Sequence, residues 1–125
     1  MDRFFVIFGA VFGFLAVATG AFGAHALKAH FASFPNLEAT FETAVRYHFY
    51  HAIALLFVGW AITQWPGSLT NWAGYCFIAG ILIFSGSLYT LVLTNMRWLG
   101  AITPIGGVAF LSGWVCLALA AWRYG

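Results

Sequence analysis

Between Arg3 and Lys28 the chain runs for twenty-four residues without an Asp, Glu, Lys or Arg. Crossing ~30 Å of hydrocarbon takes ~20 residues of helix, and a helix satisfies its own backbone polar groups where no water is present. Three further runs have the same character. One is apolar from Phe49 to Trp65, the next extends from Trp72 to Thr94, and the last from about Leu99 to Trp122, with Pro104 near its start. The helical pattern of the second begins earlier, near Leu37, after Pro35 and a candidate Asn36 cap. Helices are therefore expected at about 4–27, 37–65, 72–94 and 99–122. The predicted fold is all-α: one transmembrane domain over residues 1–125, with four transmembrane helices in a compact antiparallel bundle.

Composition agrees. Hydrophobic residues make up 63% of the chain and charged residues 6%, which is outside the range of a soluble domain. The five basic and three acidic residues are scattered, so no basic stripe exists to neutralise phosphates, and nucleic acid is not an expected partner. Ala24-His25-Ala26 fits a small-x-small cleavage pattern after the first run, but that run is longer than a usual signal core and is read as a transmembrane helix. Cys76 and Cys116 are forty positions apart, with neither redox nor zinc spacing, and are read as packing residues at similar depth.

Pro66-Gly67-Ser68 and Asn95-Met96-Arg97 make tight links, which produce antiparallel neighbours. Trp60, Trp65 and Trp72, with Trp122 and Tyr124, mark one membrane face, and Trp98 marks the other. Lys28, Arg46 and Arg97 on one side balance Arg3, Arg123 and the amino group on the other, so charge sets no orientation. Glu38, Glu42 and Arg46 recur every four residues as one charged stripe, expected to be a solvated face with an ordinary i,i+4 pair.

Helices associate in lipid through close contact between small residues, so stripes of these locate interfaces. The first run carries Gly9, Gly13, Ala16, Gly20 and Gly23; the fourth carries Gly106, Ala109, Gly113, Cys116 and Ala120. The two stripes are expected to meet each other or a second copy of the chain.

Polar residues concentrate near the face of the first and third connections. His25, Tyr47, His48, His51, Ser85, Ser87, Tyr89 and Thr103 form the candidate ligand-binding set, with Tyr50 and Thr90 nearby. Such groups face a bundle interior or water. The default is mutual hydrogen bonding. The alternatives are a small ligand or proton site, or a metal held by His25, His48 and His51, although no H-E-x-x-H pattern supports a metal. No carboxylate lies within the spanning parts to orient a catalytic base, so neither an enzyme nor a cofactor is expected. Non-enzymatic roles remain, as a homo-oligomer or an accessory subunit, with a binding or transport role as the alternative.

Gly20-Ala21-Phe22-Gly23-Ala24-His25-Ala26-Leu27, Tyr47-His48-Phe49-Tyr50-His51-Ala52, Phe84-Ser85-Gly86-Ser87-Leu88-Tyr89, Thr103-Pro104-Ile105-Gly106-Gly107 and Gly113-Trp114 together resemble the domain-of-unknown-function family 423. The resemblance covers the whole chain. It implies a compact four-helix protein of the bacterial cytoplasmic membrane with no established activity and both termini in the cytoplasm. The family motifs fall on Gly20, Gly23, His25, Tyr47, His51, Ser85, Ser87, Tyr89, Thr103 and Pro104. His48 stands where the family pattern often has another polar residue such as Gln.

Overall fold

A computed structural model describes residues 2–124, and all the regular structure among them is helical. Helix α1 spans Asp2–Ala26, the short α2 Lys28–Ser33, α3 Asn36–Gln64 and α4 Ser68–Gly80. A π-helical stretch, Ile81–Ser85, joins α4 to α5, Gly86–Thr94, and a 3-10 turn, Arg97–Ala101, precedes α6, Thr103–Tyr124. By length and apolar character, Arg3–Ala26, Ser68–Thr94 and Arg97–Tyr124 can each cross a membrane. The longest helix, α3, falls outside that group: Glu38, Glu42 and Arg46 occupy its first three turns, and the charge-free remainder is made too polar by Tyr47, His48, Tyr50, His51 and Gln64.

Several boundaries differ from expectation. The first connection contains α2, and the third long helix starts at Ser68 rather than Trp72, directly after Gly67, whose φ of +139° only glycine adopts easily. Asn36 lies inside α3 and makes no side-chain cap; Pro35 stands at the cap position, with its carbonyl accepting the Glu38 N–H. Asn95 closes α5 in the left-handed conformation, at φ 55°, which asparagine tolerates. Pro104 sits in the first turn of α6, where its missing N–H has no intrahelical partner to lose.

The small-residue stripes are used inside the chain except at Gly13, where the Cβ position meets open space, and neither stripe packs on the other. Gly9 faces Ala52, Leu55 and Leu56, Gly20 faces Val45, and Gly23 faces the ring of Phe41, so the α1 stripe packs on α3 and the two helices run in opposite senses. Gly113 faces Phe77 and Ala73, and Gly106 faces Phe84, so the α6 stripe packs on α4 and the π stretch, again in opposite senses. Ala16 and Ala120 are buried, whereas Ala109 and Cys116 are half-buried at the seam edge. A Cβ at Gly106 would collide with the backbone N and Cα of Phe84, so this contact requires glycine.

Two apolar clusters result. The larger gathers Phe5, Leu55, Val58, Phe77, Ile81 and Phe110 in the half holding the termini; the smaller gathers Phe31, Leu37, Phe41 and Val92 at the opposite end. Most of the polar residues singled out in the sequence lie between them.

Candidate functional site

Helix α3 supplies the centre of this polar layer. His48 and His51 are three residues apart and nearly sealed, at 5% and 4% exposure. They nevertheless turn toward different neighbours. The Nδ1 of His48 is 2.9 Å from the Tyr89 hydroxyl on α5, and its ring meets Phe12 of α1 edge-on. His51 turns toward α4 and α6, where it contacts Phe77, Phe110 and Trp114.

The partners of His51 fix its protonation. Its Nδ1 is 2.7 Å from the Tyr47 carbonyl, which can only accept, so Nδ1 carries the hydrogen. Its Nε2 is 3.1 Å from Nε1 of Trp114, which can only donate, so Nε2 holds a free lone pair. Both bonds are satisfied only by the neutral Nδ1–H tautomer, assigned here from the partners. One face of the ring is covered by Phe110.

The hydroxyls are similarly engaged. Ser85 donates to the Ala44 carbonyl across 2.9 Å, which ties the π stretch to α3. Ser87 and Thr103 approach to 2.6 Å, with the Phe84 and Leu99 carbonyls as further acceptors, and so join α5 to the start of α6. Within this layer one buried polar atom lacks a partner: Nε2 of His48. The Phe12 backbone faces that ring, yet no hydrogen bond of ordinary geometry reaches Nε2. Leaving such an atom unpaired costs about 1–3 kcal/mol.

Two of the expected members do not join. His25 is exposed on the last turn of α1, because two residues beyond Gly23 a helix has turned through about 200° and faces away from α3. Tyr47 is 40% exposed and stacks on Phe84, contributing its carbonyl rather than its hydroxyl. The three histidines considered as metal ligands are not brought together, and among the described residues no group of three or more His, Cys, Asp or Glu is placed to hold a metal. Cys76 on α4 and Cys116 on α6 are free, half-buried thiols.

Three participants stand outside the candidate set. Trp114 lies midway along α6 rather than in an interfacial belt, and a mid-span indole N–H needs an acceptor, which is the signal that could have found it. Phe110 carries no such signal. His30, in the first connection, reaches the Val92 carbonyl with Nε2 at 2.7 Å and fastens α2 to α5. On the outer side of the layer, Tyr47, His51, Phe84, Pro104, Phe110 and Trp114 line an almost wholly apolar hollow of about 360 Å³.

Comparison with known proteins bears on what this arrangement belongs to. The chain is 45% identical to a UPF0382 membrane protein of Staphylococcus aureus (strain bovine RF122 / ET3-1), over 98% of each chain. It is 44% identical to the UPF0382 membrane protein YwdK of Bacillus subtilis (strain 168), again over 98% of each. A UPF0382 membrane protein of Staphylococcus haemolyticus (strain JCSC1435) is 41% identical over the same share. No solved structure matches the chain. Near-full-length relatives that are named membrane proteins, together with three helices long and apolar enough to span, make this a small membrane protein. The model of the family described as "Protein of unknown function (DUF423)" matches residues 19–107, and the chain belongs to that family.

Proposed function

We propose that α1, α3, the α4–α5 segment and α6 all cross the bacterial cytoplasmic membrane as an antiparallel bundle, with both termini in the cytoplasm. In this reading the protein performs no chemistry of its own and acts as a homo-oligomer or as an accessory subunit of a larger membrane complex. One observation carries the reading: the polar layer spends its hydrogen bonds on itself. Both nitrogens of His51 are engaged, and Ser85, Ser87, Thr103 and Tyr89 each contact a polar atom on another segment. A nucleophile needs an oriented base, and a metal needs converging lone pairs; a layer closed in this way offers neither. Its role is to hold α3, α5 and α6 in register. Crosslinking in native membranes tests this. Adducts with a second copy or with one recurring partner are expected, and a chain that stays single and unaccompanied contradicts it.

A second reading, binding or passage of a small ligand, proton or metal through the same layer, is favoured by the one unpaired atom there, His48 Nε2. A liposome flux assay separates the two: equal flux from wild type and His48→Asn removes the second reading.

A further inference from the structure

Glu38, Glu42 and Arg46 stand on one side of α3 at steps of about 6 Å, four residues of helical rise each. The ordinary pair expected between Glu42 and Arg46 does not form, and no hydrogen bond or ion pair engages any of the three side chains. They line a hollow of about 360 Å³ floored by Gly20, Phe31, Phe41 and Val45. A second hollow, of about 250 Å³, shares Gly20, Val45 and Arg46 with the first and continues along the α1–α3 seam past Ala16, Val17 and Phe49. A third, of about 430 Å³, shares Val17 and Phe49 and continues to Gly13, where the space a Cβ would take is open. Together they form one groove, charged at its outer end and almost wholly apolar along the rest.

We propose that this groove holds one phospholipid whose zwitterionic head carries a primary ammonium, as an ethanolamine head does. The phosphate lies on Arg46, the ammonium lies between Glu42 and Glu38, and an acyl chain follows the seam past Val17 and Phe49. The order of the charges carries the assignment. Moving outward along α3 from the apolar groove, the guanidinium comes first and the carboxylates follow, which is the complement of acyl chain, phosphate and amine in a lipid standing in one leaflet. An Arg fork suits a phosphate, and a primary ammonium donates charge-assisted hydrogen bonds to carboxylates. A choline head has no N–H to donate. An anionic glycerol head would set its phosphate beside two carboxylates with no ammonium to offset them.

The site rests on α3 crossing the membrane, as proposed above. The test is native mass spectrometry of the full chain offered phosphatidylethanolamine, phosphatidylcholine and phosphatidylglycerol with the same acyl chains. Wild type is expected to retain the ethanolamine lipid several-fold over the other two. Glu38→Gln combined with Glu42→Gln brings the three to parity, and Arg46→Gln lowers all of them. Gly13→Leu, which fills the groove without touching the charges, also lowers retention. Equal retention of the three lipids by wild type, or an ethanolamine preference that survives removal of both carboxylates, overturns the proposal. Cysteine labelling of residues 39 and 64 reports separately on α3: a spanning α3 without lipid preference rejects the lipid site alone, whereas an α3 on the membrane surface rejects the four-span reading.

Discussion

The imidazole of His51 lies flat on the phenyl ring of Phe110, with centroids 3.6 Å and planes 9° apart. With Tyr47 and Trp114 at its two nitrogens, this side chain is held at one face and both edges. A histidine near the middle of an apolar chain looks like a ligand or a proton carrier. Here its surroundings make it a strut between α3 and α6, which are otherwise only lightly joined.

The strut has an energy that a double-mutant cycle reads. His51→Ala and Trp114→Phe are each expected to lower stability, with a coupling of about 0.6–1.7 kcal/mol, from the average to the maximum for hydrogen bonds between membrane helices. Reversible unfolding in mixed micelles provides the values. Strict additivity would mean that the indole N–H finds another acceptor.

Gly106 and Gly107 are adjacent yet differ in what surrounds them. A methyl group on Gly106 meets the backbone of Phe84, which cannot rotate away, whereas one on Gly107 meets open space. Gly106→Ala is expected to destabilise by about 1–3 kcal/mol. Gly107→Ala is expected to be neutral or stabilising by up to about 1 kcal/mol. Thermal unfolding of the two variants side by side checks the contrast.

Because His25 points away from His48 and His51, divalent metals have no shared site among them. Zinc, nickel or copper ions, and their removal by chelation, are expected to leave the unfolding temperature unchanged in wild type and in His25→Ala alike. A metal-dependent rise that is lost in His25→Ala would show that the histidines converge.

The topology of α3 is open to direct measurement. In a Cys76→Ala/Cys116→Ala background, Ala39→Cys and Gln64→Cys mark its two ends, both at exposed positions. A membrane-impermeant thiol reagent is expected to reach residue 39 from the outside and residue 64 only from the cytoplasmic side. Labelling of both from one side contradicts four spans.

What the sequence made legible follows its strongest periodicities. The long uncharged runs located α1 and α6 to within a few residues, and the spacing of Gly9, Gly20, Gly23, Gly106 and Gly113 identified contact stripes, because a small residue every three or four positions leaves a groove on one side of any helix. Which helices those grooves meet was not legible, since packing partners depend on tertiary order. The π stretch at Ile81–Ser85 has no proline to announce it. Short α2, six residues between Leu27 and Phe34, is too brief to show a periodicity and read as part of the connection. Of the polar set, His48, His51, Ser85, Ser87, Tyr89 and Thr103 make their hydrogen bonds within one layer, but depth alone does not give the direction of a side chain, and direction leaves His25 exposed and turns Tyr47 outward. The two nitrogens of His51 were undecidable without Trp114, which is sixty-three positions away.

Native mass spectrometry of the protein released from its own membrane tests the central claim most directly, because one spectrum reports copy number, partners and bound metal or small molecules. A mass for several copies, or for one copy with a recurring protein partner, carrying no metal or small polar ligand and unaltered by His48→Asn, is the result expected. A single unaccompanied chain, or a bound metal or small molecule that disappears in His48→Asn, would contradict it.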